Sequence, residues 1–323
     1  MPLSKQDIPT PATFENWINF ASHRTTIWGV DPGINDIFVA ADGTNEDRHR
    51  YRKLSSKEYY HLCGFNKATE KRRRWKIEEG EPWKQLFDDM PSLKTADFDQ
   101  LLDALRYRLD NFAAIVEPFD RQFRYRRLAF STYRNQQRGI HEICRRFTFG
   151  SKKYGQQCAP RHPHVNEESP IIRNFWKLAS PIDRPYEDEF QHYIIAFGNG
   201  TFGNMPGKRP GSVKKIFRHL CYLSRVKPNI SVVKVDEFLT SQICANCDQR
   251  TLTNLKERRN FDGSSGAKIH ALLKCQNCGK VWNRDQMAAK NIKYNFVYMA
   301  TNNNRRPTIF QRPRNEPAPN VEE

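Results

Sequence analysis

Two Cys-x2-Cys pairs constrain this chain more than any other feature of it. Cys244 and Cys247 flank two residues, Cys275 and Cys278 do the same, and 27 residues separate the pairs. Two such turns present four thiolates to one tetrahedral zinc, and with every place taken by cysteine the site is closed and structural. Gly279 after the second pair suits the tight backbone of a knuckle. The insert Asn260-Phe261-Asp262-Gly263-Ser264-Ser265-Gly266 lengthens the hairpin between the knuckles at small entropic cost. Coincidental pairs or a redox dithiol are the alternatives, and the doubled spacing counts against both. One structural zinc per chain is expected.

The other cysteines, Cys63, Cys144, Cys158 and Cys221, are scattered without ligand-like spacing, which suits a reducing intracellular compartment, the nucleus in a eukaryotic cell. No apolar run approaches the roughly 20 residues that span a bilayer, and the N-terminus lacks a secretory apolar stretch, so no membrane partner is expected. Lys and Arg exceed Asp and Glu by 53 to 36, a formal charge of +17. Such a surplus draws polyanions through counterion release, so nucleic acid is the leading partner and a merely soluble basic protein the alternative. Clustering favours the first. Residues 121–153 hold ten Lys or Arg against one acid, Glu142. On a helix, Arg127, Arg134, Arg138 and Arg145 share one face and Phe130, Tyr133, Ile140, Cys144 and Phe147 another, so one face is expected to meet phosphate and the other to pack.

Around these features the pattern alternates between strand and helix. Residues 1–24 form a polar, proline-containing lead. Ile27-Trp28-Gly29-Val30 runs into Asp31, turns at Pro32-Gly33 and resumes as Ile37-Phe38-Val39-Ala40-Ala41, a hairpin. From about residue 52 to 153, charged and aromatic stretches with few breakers, Phe98 to Val116 and Phe119 to Phe149 among them, predict helices. Residues 155–170 predict a loop, His192 to Phe197 a buried strand, and Gly198 to Gly211 a glycine-rich loop without a phosphate-cradle pattern. Residues 213–226 predict a helix, Ile230 to Val235 a strand, 285–298 a helix and Asn302 to Glu323 a disordered tail.

Three carboxylates fall at the ends of these elements. Asp31 ends the first apolar strand, Glu237 follows the strand Ile230 to Val235, and Asp285 opens the last helix. Each has a plain structural reading: Asp31 as a turn residue before Pro-Gly, Asp285 as a helix N-cap, Glu237 as an exposed strand-end acid. The functional reading is convergence on metal. Phosphodiester hydrolysis needs charge stabilised on the attacking and leaving oxygens, two divalent cations roughly 4 Å apart supply that, and hard cations take carboxylate oxygens. Asp236 and Glu237 are adjacent on an extended chain and point to opposite sides, so one of them at most can aim at the other acids.

Four stretches together resemble the RuvC-like nuclease half of transposon-encoded TnpB proteins and their eukaryotic relatives, the Fanzor proteins. They are Val30-Asp31-Pro32-Gly33, Thr240-Ser241 before the first knuckle, the second knuckle with Gly279, and Arg284-Asp285 followed by Ala288-Ala289 and Asn291-Ile292. The resemblance covers about residues 25–297. It implies an α/β, RNase H-like (RuvC) fold with an inserted zinc ribbon and an α-helical insertion at about 52–153. The nuclease core would span 25–243, the ribbon 244–282, the last core helix 283–300 and the tail 301–323. It further implies a metal-dependent endonuclease, with Asp31, Glu237 and Asp285 holding two magnesium or manganese ions, and with DNA and a guide RNA as partners.

The chain departs from the family pattern in three places. Most TnpB-like sequences carry a glutamate after the strand matching Tyr193-Ile194-Ile195, where this chain reads Ala196-Phe197-Gly198-Asn199. Fanzor-type sequences resemble it in lacking that acid and carrying one just before the ribbon, which maps to Glu237. Met287 stands where the family usually has asparagine. Relatives also carry a long N-terminal part that grips guide RNA and target duplex, whereas 24 residues precede the first strand here, so an N-terminally truncated nuclease is expected. The rival expectation is a catalytically silent nucleic-acid-binding protein that keeps the fold and the ribbon.

Overall fold

The hairpin expected around Pro32-Gly33 forms from β1 (Thr25–Pro32) and β2 (Asp36–Ala41), which pair antiparallel with Asp31 opposite Val39. In the computed structural model, which describes residues 9–15, 25–42, 50–120, 123–148, 153–154, 192–200, 212–256 and 266–312, this hairpin is the middle of a five-stranded sheet. β3 (Tyr51–Ser55) adds antiparallel to β2, and β4 (His192–Gly198) and β5 (Ile230–Val235) add parallel on the other side, giving the order β3-β2-β1-β4-β5. That order, with β2 alone antiparallel to both of its neighbours, is the RNase H-like arrangement expected. The strand Tyr51–Ser55 corrects the expectation of helix from residue 52. Its alternating burial is a strand's, and the five residues are too few for periodicity to declare it.

The chain divides into two compact units, one of residues 1–56, 142–165 and 184–323 and the other of 57–141 and 166–183. The first holds the sheet. Of its three parallel strands, β4 is buried at every position and reads as a near-continuous apolar run for that reason, while β5 leaves Lys234 exposed and β1 only partly buries Thr25 and Thr26. One face packs on α8 (Arg284–Thr301), where Ile194, Ala196, Val233 and Val235 meet Ile292 and Phe296. Phe14, from a short turn of helix in the N-terminal lead, joins this cluster. α8 lies so close that a Cβ on Gly29 would overlap the carbonyl oxygen of Ala289 and stand 2.6 Å from the nitrogen of Lys293. On the opposite face Trp28 donates its indole N–H to the Phe147 carbonyl at 2.9 Å. α7 (Val213–Val226) buries Ile216, Leu220 and Leu223 and sets Phe217 against Phe197, with ring centroids 5.2 Å apart.

The second unit is helical, with α2 (Phe65–Glu78), α3 (Gly80–Asp88), α4 (Phe98–Asp110) and α5 (Phe112–Asp120) lying between α1 (Ser56–Leu62) and α6 (Arg124–Cys144). The helix expected from Phe98 to Val116 breaks at Asn111, whose side chain caps the Tyr107 carbonyl at 2.8 Å. The basic helix is shorter than its pattern suggested, running Arg124–Cys144 and passing into a 3-10 turn, Arg145–Phe147. Inside the unit, Arg124 pairs with Glu78 at 3.1 Å and with Glu79, and stacks over Trp75. Among the described residues no helix is long and apolar enough to cross a membrane. The loop expected at 155–170 lies outside the described residues.

The tail differs from expectation. Asn302 to Arg312 is ordered against the first unit: Phe310 is fully buried, which stabilises by about 2–3 kcal/mol, and Arg306 and Arg312 both pair with Asp236. Its Asn, Arg and Pro content argued for disorder, but one aromatic anchor and one ion-paired acid are enough to dock it. Residues 313–323 lie outside the described residues.

Candidate functional site

The ribbon is a separate three-stranded sheet of β6 (Leu252–Lys256), β7 (Lys268–Cys275) and β8 (Val281–Asn283). Its four cysteine sulfurs all lie within 4.8 Å of one another. Cys244 Sγ is 3.6 Å from Cys278 Sγ, and Cys247 Sγ is 3.6 Å from Cys275 Sγ. A tetrahedron with arms of about 2.3 Å has edges near 3.8 Å, so the donor set fits one zinc, while a disulfide would need about 2.05 Å. The backbone of each knuckle turns into the left-handed region just after its second cysteine, at Gly279 (φ +71°) and at Asp248 (φ +57°). Burial alone would raise the Cys275 thiol. The N–H groups of Cys278 and Asn277 and the hydroxyl of Thr251 override it and draw the thiol down to about 6, whereas burial pushes the Cys244 thiol up to about 11. Trp282 donates its indole N–H to Cys244 Sγ at 3.2 Å, tuning the sulfur from outside the ligand set. Met287, the residue that departs from the family, is fully buried in the ribbon core with Leu273 and Trp282, tying α8 to the ribbon.

The three carboxylates are placed by the sheet and by α8. β1, β4 and β5 run parallel, so Asp31, Gly198 and the chain leaving Val235 all emerge at one edge. Gly29 and Asp31 share a face of β1, and Asp285 stands one turn before Ala289 on α8, so the close contact of Gly29 with Ala289 brings Asp285 toward Asp31. The N-cap reading of Asp285 fails because Asn283 is the cap, its side chain accepting from the Gln286 N–H at 3.1 Å. The turn reading of Asp31 fails because the residue lies within β1 and pairs with Val39. Asp31 is held well above the usual carboxylate range, first by burial and then by the negative charges of Glu237 and Asp285, with Arg284 opposing. Asp285 is raised by burial and then by Asp36, an acid opening β2 that the sequence did not single out; its Asn35-Asp36 context reads as turn chemistry.

Glu237 is half-buried and turned inward. Its Oε1 accepts the Gly200 N–H at 2.8 Å. A Cβ built on Gly198 would overlap that same Oε1 and stand 2.8 Å from Pro32 Cδ. The glutamate carboxylate thus fills the space that any side chain at the end of β4 would take, beside the residue that follows Asp31. Asp236 points the other way, toward Arg306 at 2.7 Å and Arg312 at 3.0 Å. Around Glu237 the chain is pinned: Thr240 donates both N–H (3.1 Å) and hydroxyl (2.9 Å) to its carbonyl. Asn291 of α8, buried, donates to the carbonyls of Thr240 (2.7 Å) and Ile243 (2.8 Å), linking the helix that carries Asp285 to the turn after Glu237. Among the described residues, the cysteine quartet is the one group of three or more Cys, His, Asp or Glu placed to hold a single metal ion, its ligand atoms within 4.8 Å of one another; the three carboxylates do not form such a group.

The predicted arginines are divided. Arg127 and Arg134 are exposed on α6, Arg138 is half-buried, and Arg145 lies beyond α6 in the 3-10 turn. The packing face is corrected in part: Ile140, Cys144 and Phe147 are buried, but Phe130 and Tyr133 are 62% and 58% exposed. Arg134 stands over the Phe130 ring at 5.8 Å. Aromatic and guanidinium planes are therefore interleaved on an open surface instead of being sorted onto two faces.

Comparison with known proteins bears on the part of the chain that carries Glu237, the four cysteines and Asp285. Residues 214–292 match the family described as Cas12f1-like, TNB domain. The family resemblance read from the ribbon motifs is borne out over that stretch. The structure is similar to CasPhi-2 (Cas12j) bound to crRNA and phosphorothioate-DNA, at 13% identity and a TM-score of 0.41, covering 92% of this chain and 48% of that one. It is also similar to Alicyclobacillus acidoterrestris C2c1 in complex with single-guide RNA, at 9% identity and a TM-score of 0.32, covering 90% of this chain and 42% of that one. The chain thus spans less than half the length of these proteins. A search of curated proteins gives no match.

Proposed function

We propose that this chain is the nuclease portion of an RNA-guided DNA endonuclease of the TnpB and Fanzor kind, with its core at 25–243, its ribbon at 244–282 and its last core helix at 283–300. The observation that carries the reading is Glu237 filling the side-chain space of Gly198 at the strand edge that also bears Asp31. A strand-end acid with no task would extend into water; this one gives up hydration beside another acid whose charge it disfavours. Asp31, Glu237 and Asp285 would hold magnesium or manganese. When bound, a pair of such ions supplies a nucleophilic water and neutralises charge on the leaving oxygen. The residues orient: Gly200 N–H fixes the rotation of the Glu237 carboxylate, and Asn283 caps α8 so that Asp285 is left free of capping.

DNA and a guide RNA are the proposed partners, supported by the charge of +17 and by the interleaved Arg134 and Phe130 on α6, a surface suited to phosphate and base stacking. Replacing Arg134 and Arg138 together with Ala lowers affinity alike for unrelated DNA sequences and flattens the salt slope by about one unit per lost phosphate contact. An unchanged slope removes this helix from the interface.

The site itself is tested by melting the zinc-loaded protein with and without Mn2+. Wild-type protein gains stability from the ion, about 2.7 kcal/mol at a hundred times Kd. Asp31→Asn melts higher than wild type without the ion and no longer responds to it. The sign follows from burial and repulsion: an acid whose folded value is raised lends stability below the ordinary carboxylate range and loses it as pH rises through the folded value, so the Asn advantage is greatest near neutral pH. A Mn2+ response that survives Asp31→Asn places the ion elsewhere.

A further inference from the structure

We infer that the segment after α8, residues 302–312, is a positioning strap for Glu237, and that Arg306 is its acting residue, working through Asp236. The inference rests on the reading of Glu237 as a metal ligand. After Val235 the chain leaves the sheet, so no strand ladder holds residues 236 and 237. Arg306 takes over that task with both arms of its fork: Nη1 donates to Asp236 Oδ2 at 2.7 Å and Nη2 to the Asp236 backbone carbonyl at 3.0 Å. The second bond matters most. The carbonyl of Asp236 and the N–H of Glu237 belong to one rigid peptide plane, so fixing the first orients the second and with it the start of the Glu237 side chain. On the far side of that plane the Glu237 N–H faces Asn199 Oδ1 at 3.4 Å.

The strap is itself anchored. Phe310 is fully buried against Tyr294, at 6.2 Å between ring centroids, and Gln311 donates to the Arg306 carbonyl at 2.8 Å. Arg312 grips both oxygens of Asp236, at 3.2 and 3.0 Å, and stands over the Phe238 ring at 4.7 Å. Two arginines converge on one acid that is not a metal ligand, from a segment whose composition reads as disordered. An ion pair that served stability alone would not need the backbone carbonyl, and it is the carbonyl contact that transmits to Glu237.

Charge and position act in opposite directions here, which makes the idea testable. Removing a cation near an acidic site should tighten the binding of a divalent ion if Arg306 acted by its field; removing a positioning residue should weaken it. The experiment is titration of Mn2+ alone into the zinc-loaded 323-residue chain, with zinc content and metal-free melting measured alongside, for Arg306→Ala, Arg306→Lys, Arg312→Ala and Glu237→Gln. Expected is a rise in Mn2+ Kd of about tenfold in Arg306→Ala, in the range typical for groups that orient metal ligands, with zinc content unchanged. Arg306→Lys keeps the charge but cannot span both oxygens, so it falls between wild type and Ala. Arg312, 63% exposed, can be removed without harm to the core, and its Ala variant weakens binding in the same direction, which keeps the test open should Arg306→Ala fail to fold. Unchanged or tighter Mn2+ binding in the arginine variants, beside lost binding in Glu237→Gln, overturns the strap and leaves the site standing. Unchanged binding in Glu237→Gln overturns both.

Discussion

Replacing Glu237 with Gln removes most of the Mn2+-dependent stabilisation while zinc content stays at one per chain, and Gly198→Ala does the same without touching an acid. The second variant is the sharper one. Gly198 is not in the left-handed region, so its backbone conformation suits alanine; what the new methyl meets is the far end of the Glu237 side chain and, at 2.8 Å, the ring Cδ of Pro32. The glutamate end can swing away, and in doing so it abandons the strand edge; the Pro32 ring must also shift by a few tenths of an ångström, so the metal-free melting of this variant is read beside its Mn2+ response. Both variants should lose nearly all of the roughly 2.7 kcal/mol that saturating ion contributes to wild type, and both should lose cleavage when the chain is assayed within a complete nuclease. Asp236→Asn loses far less, because that side chain faces Arg306 and Arg312. Paired melting curves with and without Mn2+ measure all three. A full response in Gly198→Ala means that Glu237 does not act from its place above Gly198, and the silent nucleic-acid-binding protein becomes the better reading.

Cys275→Ser releases zinc and unfolds the ribbon. Zinc binding to such a quartet is folding free energy, about 10–16 kcal/mol in isolated zinc-finger peptides, far more than three short strands with few buried apolar residues can supply alone. The consequence extends past the ribbon. Met287 and Trp282 share the ribbon core with Cys244 and Cys275, and Met287 lies two residues from Asp285, so losing the ribbon frees the first turn of α8 and weakens the Mn2+ response as well. Metal analysis reads the first effect and the red shift of Trp282 emission the second, since its indole is 6% exposed against Cys244 in the folded ribbon. Equal zinc content in wild type and Cys275→Ser would end the idea of a cysteine-held zinc.

Much of the site was legible because its parts are local. The knuckle is a four-residue turn, and its spacing alone places two sulfurs. The hairpin around Pro32-Gly33 and the strand Ile230–Val235 are rich in apolar, mostly β-branched or aromatic residues bounded by turn residues, and both formed where the pattern put them. Other features were hidden for physical reasons. β3 alternates exposed and buried residues over five positions, too short to separate from the start of a helix. Phe130 and Tyr133 carry the periodicity of a packing face, but periodicity says that residues share a side, not that anything covers it. The strap at 302–312 is polar, and its docking depends on one buried ring and on Asp236, seventy residues upstream of Arg306.

The sequence by itself determined the cysteine quartet, the strands at His192 to Phe197 and Ile230 to Val235, and the last helix, since each depends on residues close together; that β1, β4 and β5 run parallel is a tertiary fact. Only the tertiary structure shows where the three acids stand. Asn283 relieves Asp285 of capping, the ladder to Val39 takes Asp31 out of the turn, and a missing side chain at Gly198 leaves room for Glu237 to return from the next strand. Those are facts about what occupies a volume, and a volume is shared by residues that the chain order keeps far apart.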